Sequence, residues 1–322
     1  MAPARLTMGW HEFALESEAL RGNPLGDPAT RPLWVWSPGG QARPLPALFL
    51  LHGMASSGRS WFNVSPFARN LPELVDDLGL DALVVLVDGW TALGGSQWID
   101  SPAIGNYGRY LCEDVVGFID ARFSVSQRGL AGRSSGGIGA STWTMLRPDL
   151  FAGFASHAGD ALFEVMYPAE FAAAAQALRN LYDGSVERFW EDLRSGRAVF
   201  ENTTDPLLQN VCAAAAAYSP GELPFRIETG ELVPEIWAAW LERDPVRLAT
   251  RNAEALRAAK GIWIDAGRRD EYHLDLGASA LAAAVRAAGA RDVHFELHEG
   301  THRGTNWRLP LSLAFLAERL AA

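Results

Sequence analysis

Five residues, Gly132-Arg133-Ser134-Ser135-Gly136, and two loops far downstream hold side chains whose types can do acyl-transfer chemistry. A serine between glycines is predicted here on a sharp turn, from a strand over Gln127 to Ala131 into a helix over Gly137 to Leu146. Such a turn thrusts the hydroxyl clear of the backbone, and small neighbours let a substrate approach closely. A serine hydroxyl is a weak nucleophile alone. It needs a base to take its proton, an anion to orient that base, and donors for the developing oxyanion. By itself the pentapeptide is weak, because a glycine-rich turn entering a helix matches the same pattern by chance.

His302 is the leading base. It lies in Glu299-Gly300-Thr301-His302-Arg303-Gly304, the loop between the last strand and the last helix, on the same sheet edge as Ser134. His294 and His298 share one face of the preceding strand and read as packing or surface groups, and His52 as structural. His157 ends a strand beside the serine turn and could approach the site, while His11 and His273 have no supporting context. For the acid, Asp270 sits in the loop leaving the penultimate strand. Asp160, one strand earlier, and Asp265, at the strand end, are its rivals; Glu271 is expected to face elsewhere. The oxyanion donors are expected to be the backbone N–H of Ser135, at a helix start where the dipole favours negative charge, and that of Met54 in the turn Leu50-Leu51-His52-Gly53-Met54. The bland alternative for the second is a simple tight turn.

Trp90, Gln97, Trp98, Phe163 and Trp237 are the candidates for lining a substrate pocket, which would then be apolar and suit short-to-medium acyl or aromatic esters. The aromatic ones serve equally well as core: Trp237 and Trp240 are spaced as a packed helix face requires. No metal-ligand spacing occurs, so neither metal nor cofactor is expected.

The elements that must position these residues are short apolar strands alternating with helices. Strands are predicted at Leu33 to Ser37 and Ala47 to Leu51, a first pair with Gly39-Gly40 turning between them. Further strands fall at Ala82 to Asp88, Gly153 to His157, Gly261 to Asp265 and Val293 to His298. Helices are predicted at Tyr107 to Phe123, His273 to Ala288 and Leu309 to Ala321. Alternation of this kind predicts an α/β fold, a mostly parallel central sheet with helices on both faces. Residues 161–260 break the alternation. Rich in alanine, leucine and tryptophan, they read as a helical cap inserted into a core formed by residues 1–160 and 261–322.

Composition sets outer bounds. With 322 residues, 48% of them apolar and 20% charged, the balance is that of a globular protein. No apolar run reaches membrane-spanning length, and Met1 to Phe13 lacks the pattern of a secretory leader, so a cytoplasmic location is expected. A net charge of -10 argues against nucleic acid or an anionic membrane as partner, and leaves a small ester as the expected one, with a homo-oligomer open. Cys112 and Cys212 read as buried free thiols.

These residues resemble the putative-esterase branch of the α/β-hydrolases, a group that includes esterase D, enterochelin-esterase-like enzymes and the mycolyltransferases. The resemblance runs through Leu51-His52-Gly53 followed by Trp61, Val87-Asp88-Gly89, Gly94-Gly95-Ser96-Gln97 with Ser101, and Gly105-Asn106-Tyr107. It continues through Gly132-Arg133-Ser134-Ser135-Gly136-Gly137, Asp265-Ala266-Gly267 with Asp270-Glu271, and Gly300-Thr301-His302, and so covers nearly the whole chain. It implies a serine esterase with Ser134, His302 and Asp270 in the three catalytic roles. Acyl transfer to an alcohol, a thioesterase related to S-formylglutathione hydrolase, and a binding protein that has lost catalysis are the alternatives. The oxyanion loop Met54-Ala55-Ser56-Ser57 lacks the cysteine of esterase D, which argues against glutathione thioesters. A tryptophan that usually follows the family histidine closely would here be Trp307, at longer spacing.

Overall fold

The computed structural model describes residues 7–40, 43–196 and 205–321; the beginning of the Met1 to Phe13 stretch and part of the inserted segment lie outside them. Ten strands are described: β1 Gly9–Glu16, β2 Thr30–Ser37, β3 Leu45–Leu51, β4 Leu83–Val87, the short hairpin β5 Asp100–Ser101 and β6 Gly105–Asn106, β7 Val125–Arg133, β8 Gly153–His157, β9 Gly261–Gly267 and β10 Val293–His298. Eight of them form one sheet in the order β1-β2-β4-β3-β7-β8-β9-β10. From β4 to β10 all neighbours run parallel, whereas β2 is antiparallel to both β4 and β1.

This corrects one sequence expectation. The strands β2 and β3 are not paired; β4 lies between them, because the glycine turn at Gly39-Gly40 launches a crossing rather than a hairpin. The strand β1 had no place in the prediction. Its alternation of half-buried and exposed residues is that of an edge strand with one face on the core.

Unbroken apolar strands need both faces covered, and the pleat divides their side chains between two cores. Leu45, Ala47, Phe49 and Leu51 of β3 point to one core, Leu48 and Leu50 to the other. The second core is closed by the helices α1 (Leu71–Leu78) and α13 (Leu309–Ala321), through Leu71, Val75, Leu313 and Leu316. Emptying one of these positions to alanine costs about 2–5 kcal/mol. The first core receives α2 (Tyr107–Arg109) and α3 (Val116–Arg122), joined through a wider π turn at Tyr110–Val115, and α12 (Leu274–Ala287). The helix α4 (Ser135–Leu146), which follows β7, packs on β7 and β8 and has ten of its twelve residues buried.

Between β8 and β9 the described residues form seven helices and no named strand: α5 Phe163–Met166, α6 Pro168–Leu181, α7 Val186–Arg194, α8 Asp205–Tyr218, α9 Pro234–Leu241, α10 Pro245–Arg251 and α11 Ala253–Ala258. Their aromatic side chains knit together. Phe163 packs edge-on to Tyr167 with ring centroids 4.9 Å apart, Tyr167 to Trp240 at 5.0 Å, and Phe171 to Trp237 at 5.6 Å. This cluster is continuous with the first core of the sheet. Cys112 and Cys212 are buried free thiols, and burial pushes both up to about 12. Among the described residues no helix is long and apolar enough to cross a membrane, and no cluster of His, Cys, Asp or Glu side chains could hold a metal ion.

Candidate active site

Five turns leave the carboxyl ends of β3, β7, β8, β9 and β10, and Met54, Ser134, Asp160, Asp270 and His302 lie on them. The turn after β7 is the sharpest. Ser134 sits between β7 and α4 with φ 55° and ψ −125°, a conformation that L residues avoid and that persists only where surroundings dictate it. Its N–H donates to His157 O at 3.0 Å, and its carbonyl accepts from Gly137 N–H at 2.7 Å. The turn closes because two flanking residues lack Cβ. A Cβ on Gly132 would lie 2.1 Å from Gly136 O, and one on Gly136 would lie 2.0 Å from Leu51 O.

The turn after β3 passes beside this serine: a Cβ on Gly53 would sit 3.2 Å from Ser134 Cβ. His52 fastens it. Its Nδ1–H donates to Gly53 O at 2.9 Å, and its Nε2 accepts from Gly89 N–H at 2.9 Å. Burial drives its pKa down to about 4, so the ring is neutral and keeps that donor-acceptor pattern. Trp98 completes the brace, with Nε1–H donating to His52 O at 3.1 Å and its indole edge-on to the imidazole. The N–H groups of Met54 and Ser135 donate to no acceptor among the described residues.

The turns after β9 and β10 bring Asp270 and His302 together. His302 Nδ1 donates to Asp270 Oδ2 at 2.9 Å, leaving Nε2 with its lone pair, and the other Asp270 oxygen accepts from Tyr272 N–H at 2.9 Å. Two further bonds pin the peptide of His302 from opposite sides. Its N–H donates to Glu271 Oε2 at 2.8 Å, and its carbonyl accepts from Arg133 Nη2 at 2.9 Å. Glu271 therefore faces the loop of His302 rather than elsewhere, and neither it nor Arg133 had a role assigned from sequence. Ser134 Oγ and His302 line the same cavity without a hydrogen bond between them, a common state before a substrate draws such groups together.

The rivals are placed differently. Asp265 accepts from His157 Nδ1 at 2.8 Å, Trp263 Nε1 at 2.8 Å and Arg308 Nε at 2.9 Å, all away from Ser134. Burial opposes its ionisation, but these partners hold its carboxyl well below the usual range. His157 is thus turned from the site. Asp160 does line the cavity, but its nearest polar side chain is Tyr167, whose hydroxyl lies 3.5 Å away. Burial pushes its carboxyl up to about 6, against the attraction of His302. His294 stacks on Trp263, and Trp307, half-exposed beside His298, does not line the cavity.

The cavity measures about 430 Å³, and its wall differs from the one expected. Trp90, Gln97, Trp98, Phe163 and Trp237 do not line it. Trp90 covers the buried Arg31 guanidinium at 4.7 Å, Trp98 braces His52, and Phe163 and Trp237 belong to the aromatic cluster of the inserted helices. Gln97 is fully buried on a left-handed backbone, and both its amide atoms lack a protein partner. In their place stand the amides of Asn63, Gln209, Asn210 and Asn306 and the guanidinium groups of Arg133 and Arg303. Gln209 and Asn210 come from α8, and Met166 and Pro206 from the same insertion. The site is polar.

A family model described as "Putative esterase" matches residues 34–317. No curated protein matches the chain in sequence. Among solved structures the chain is similar to a ferulic acid esterase, with a TM-score of 0.60 at 16% identity over 97% of this chain and 99% of that one. It is similar also to an S-formylglutathione hydrolase from Agrobacterium tumefaciens, with a TM-score of 0.60 at 17% identity over 98% of both chains. A third is FphF, a fluorophosphonate-binding serine hydrolase of Staphylococcus aureus, with a TM-score of 0.59 at 16% identity over 98% of this chain and all of that one. At such identities the likeness speaks for the α/β-hydrolase fold.

Proposed function

The chain belongs to the putative-esterase family and is a carboxylic ester hydrolase, and on that premise we propose that it works through an acyl-enzyme on Ser134, with His302 as base and Asp270 as its orienting acid. The observation that carries this reading is the 2.9 Å bond from His302 Nδ1 to Asp270, at a cavity that Ser134 also lines. It leaves His302 Nε2 as the one basic nitrogen directed to the chemistry.

Ser134 Oγ attacks the ester carbonyl carbon as its proton passes to His302 Nε2, and the carbonyl oxygen becomes an oxyanion held by the N–H groups of Met54 and Ser135. Their freedom from other acceptors supports that assignment. The intermediate expels the alcohol, which takes the proton from His302. Water then attacks the acyl-serine in the same way, with His302 again taking and returning a proton, and the acid leaves. Asp270, with both oxygens already engaged, fixes the tautomer and offsets the imidazolium charge.

We take residues 161–260 as the cap over a core of residues 1–160 and 261–322, because α8 supplies part of the cavity wall. The amides and arginines of the wall favour an ester with a polar part, while Trp61, Met166 and Leu274 offer it a smaller apolar surface. It equally suits an alcohol as acceptor, so products are to be measured with and without one. The test is labelling by a fluorophosphonate. The adduct mass should appear on Ser134 and vanish in Ser134→Ala; labelling elsewhere, or none, would overturn the reading.

A further inference from the structure

Arg133 is the residue whose setting the mechanism leaves unexplained. The two buried arginines of the described chain both have carboxylates, whereas the half-buried Arg133 has none. Arg31 lies 3.5 Å from Asp88, and Arg308 contacts Asp265 at 2.9 Å and Glu296 at 2.5 Å. Arg133 has no carboxylate in ion-pair range, one Nη spent on the His302 carbonyl, and a buried Nε with no partner. Burial lowers its pKa, Asp270 and Glu271 offset this only from a distance, and the charge of Arg303 adds to the strain. An unpaired cation in such a place is costly unless something supplies the missing negative charge.

Arg303, next to His302 in the chain, lines the same cavity from an exposed position and forms no ion pair among the described residues. Two guanidinium groups, one partly buried and one exposed, thus line the cavity of the base, whose remaining polar wall is mostly uncharged amide and hydroxyl. The opposing charges are few. Asp270 is committed to His302, and Asp160, raised by burial to about 6 but still ionised at neutral pH, forms no ion pair with either arginine. Glu170, behind the wall, is engaged by Asn210 and pushed up to about 7, again by burial. In a chain of net charge -10, this cavity runs against the average.

Resting on the esterase reading above, we propose that Arg133 and Arg303 bind a carboxylate carried by the substrate, so that the enzyme acts on esters bearing a free acid group. A planar guanidinium matches a carboxylate with paired N–H donors, and a charge-assisted bond in a partly buried site outweighs one to water. The acid group can belong to the acyl part, as in a monoester of a dicarboxylic acid, or to the alcohol part, as in an acylated hydroxy acid; the chemistry recognised is the same.

Two matched pairs of esters separate these sources. Mono-4-nitrophenyl glutarate against its methyl-capped analogue tests the acyl side, by nitrophenol release. The pair 3-acetoxybenzoate and 3-acetoxybenzamide tests the alcohol side, by acetate release. The expected result is a preference for the charged member of one pair by roughly tenfold or more in kcat/KM, carried by KM, as a charge-assisted bond is worth. Arg303→Gln should shrink that ratio by at least about fivefold, and Arg133→Lys, which keeps the charge, should retain more of it than Arg133→Gln. Each variant serves as its own control, because the neutral ester reports its base rate. Hydrolysis of both members without preference, with Ser134 still labelled by fluorophosphonate, overturns this inference and leaves the esterase reading standing. Loss of labelling overturns both.

Discussion

The molecule holds two Ser–His–Asp chains, and the one with the tighter hydrogen bonds is the one that cannot react. Ser312 Oγ lies 2.7 Å from His157 Nε2, whose Nδ1 lies 2.8 Å from Asp265. In the other chain His302 and Asp270 are joined at 2.9 Å while Ser134 is not yet bonded to the histidine. Ser312, however, sits inside α13 with its hydroxyl also reaching Leu309 O at 3.0 Å, and it has no exposed surface. No carbonyl can approach it, and no pair of free N–H groups waits beside it. Ser134 stands on a left-handed turn at a cavity of about 430 Å³. Alignment of three side chains therefore does not by itself mark a nucleophile; on the proposed reading, the backbone at the serine, access and oxyanion donors do. The buried chain instead ties β8, β9 and α13 together.

Exchanging the two serines for alanine is the sharpest way to break this contrast. Ser134→Ala should lower turnover of simple aryl esters by about 10⁴-fold or more with an unchanged melting curve. Ser312→Ala should keep the turnover and lose about 1–2 kcal/mol of stability, the cost of leaving His157 Nε2 without its buried partner. Comparable loss of turnover in both variants would erase the distinction.

The two acids should part in the same way. Asp270→Asn leaves His302 in the wrong tautomer, and kcat should fall by about 10³–10⁴-fold while the fold persists. Asp265→Asn leaves Arg308 and His157 short of a buried negative charge, and should cost about 3–5 kcal/mol in chemical denaturation. The pH dependence has a definite sign. The folded-state pKa of Asp265 is depressed below its ordinary 3.8, so its contribution is fully present above about pH 4 and lost as pH falls toward the folded value. The variant should therefore lack part of the acid destabilisation of the parent.

A third carboxyl, Asp160, carries the opposite sign. Its pKa is raised by burial to about 6, so the folded protein keeps the proton to higher pH than the unfolded chain does, and ionising it costs stability as pH rises from about 4 through 6. Asp160→Asn should stabilise the protein by on the order of 2 kcal/mol at pH 8, with the gain vanishing near pH 4. A gain that grows on acidification would show that Asp160 is paired in a way the structure does not contain.

The fold was readable because its strands are short, apolar and separated by glycine turns. The strands β8 and β10 and the helix α13 fall where the pattern put them, from Gly153, Val293 and Leu309. The edge strand β1 was not, since its one-sided burial leaves a mixed composition. Nor was the crossing from β2, because a glycine pair marks a turn without saying which neighbour follows. Bringing Asp270 and His302 to the edge that bears Ser134 needed only strand order and loop position. The cavity wall was illegible for a different reason. Gln209, Asn210 and Arg303 are ordinary surface residue types that carry no spacing signal, while Trp98 and Trp237, which do stand out, pack into the core. Arg133 stood in plain view inside the pentapeptide, but only its missing counter-charge draws attention to it.

The smallest effect bears on how each histidine is held. His157 is fixed by packing and by partners at both ring nitrogens. His302 has one ring nitrogen that must stay open, so its loop is fixed through the backbone, by Glu271 on the N–H and Arg133 on the carbonyl. Glu271 is largely exposed and touches no reacting atom, which makes it a positioning residue. Glu271→Gln keeps an acceptor for the His302 N–H but removes its charge, a loss of about 1 kcal/mol, so kcat should fall by roughly threefold to tenfold. Because the defect lies in holding the base rather than in binding, KM should stay within about twofold. Glu271→Ala should deepen the loss in kcat, and Glu271→Asp should recover little, since a side chain one methylene shorter cannot span the same 2.8 Å contact. If KM rises instead while kcat holds, Glu271 acts on the substrate and the two histidines are held alike.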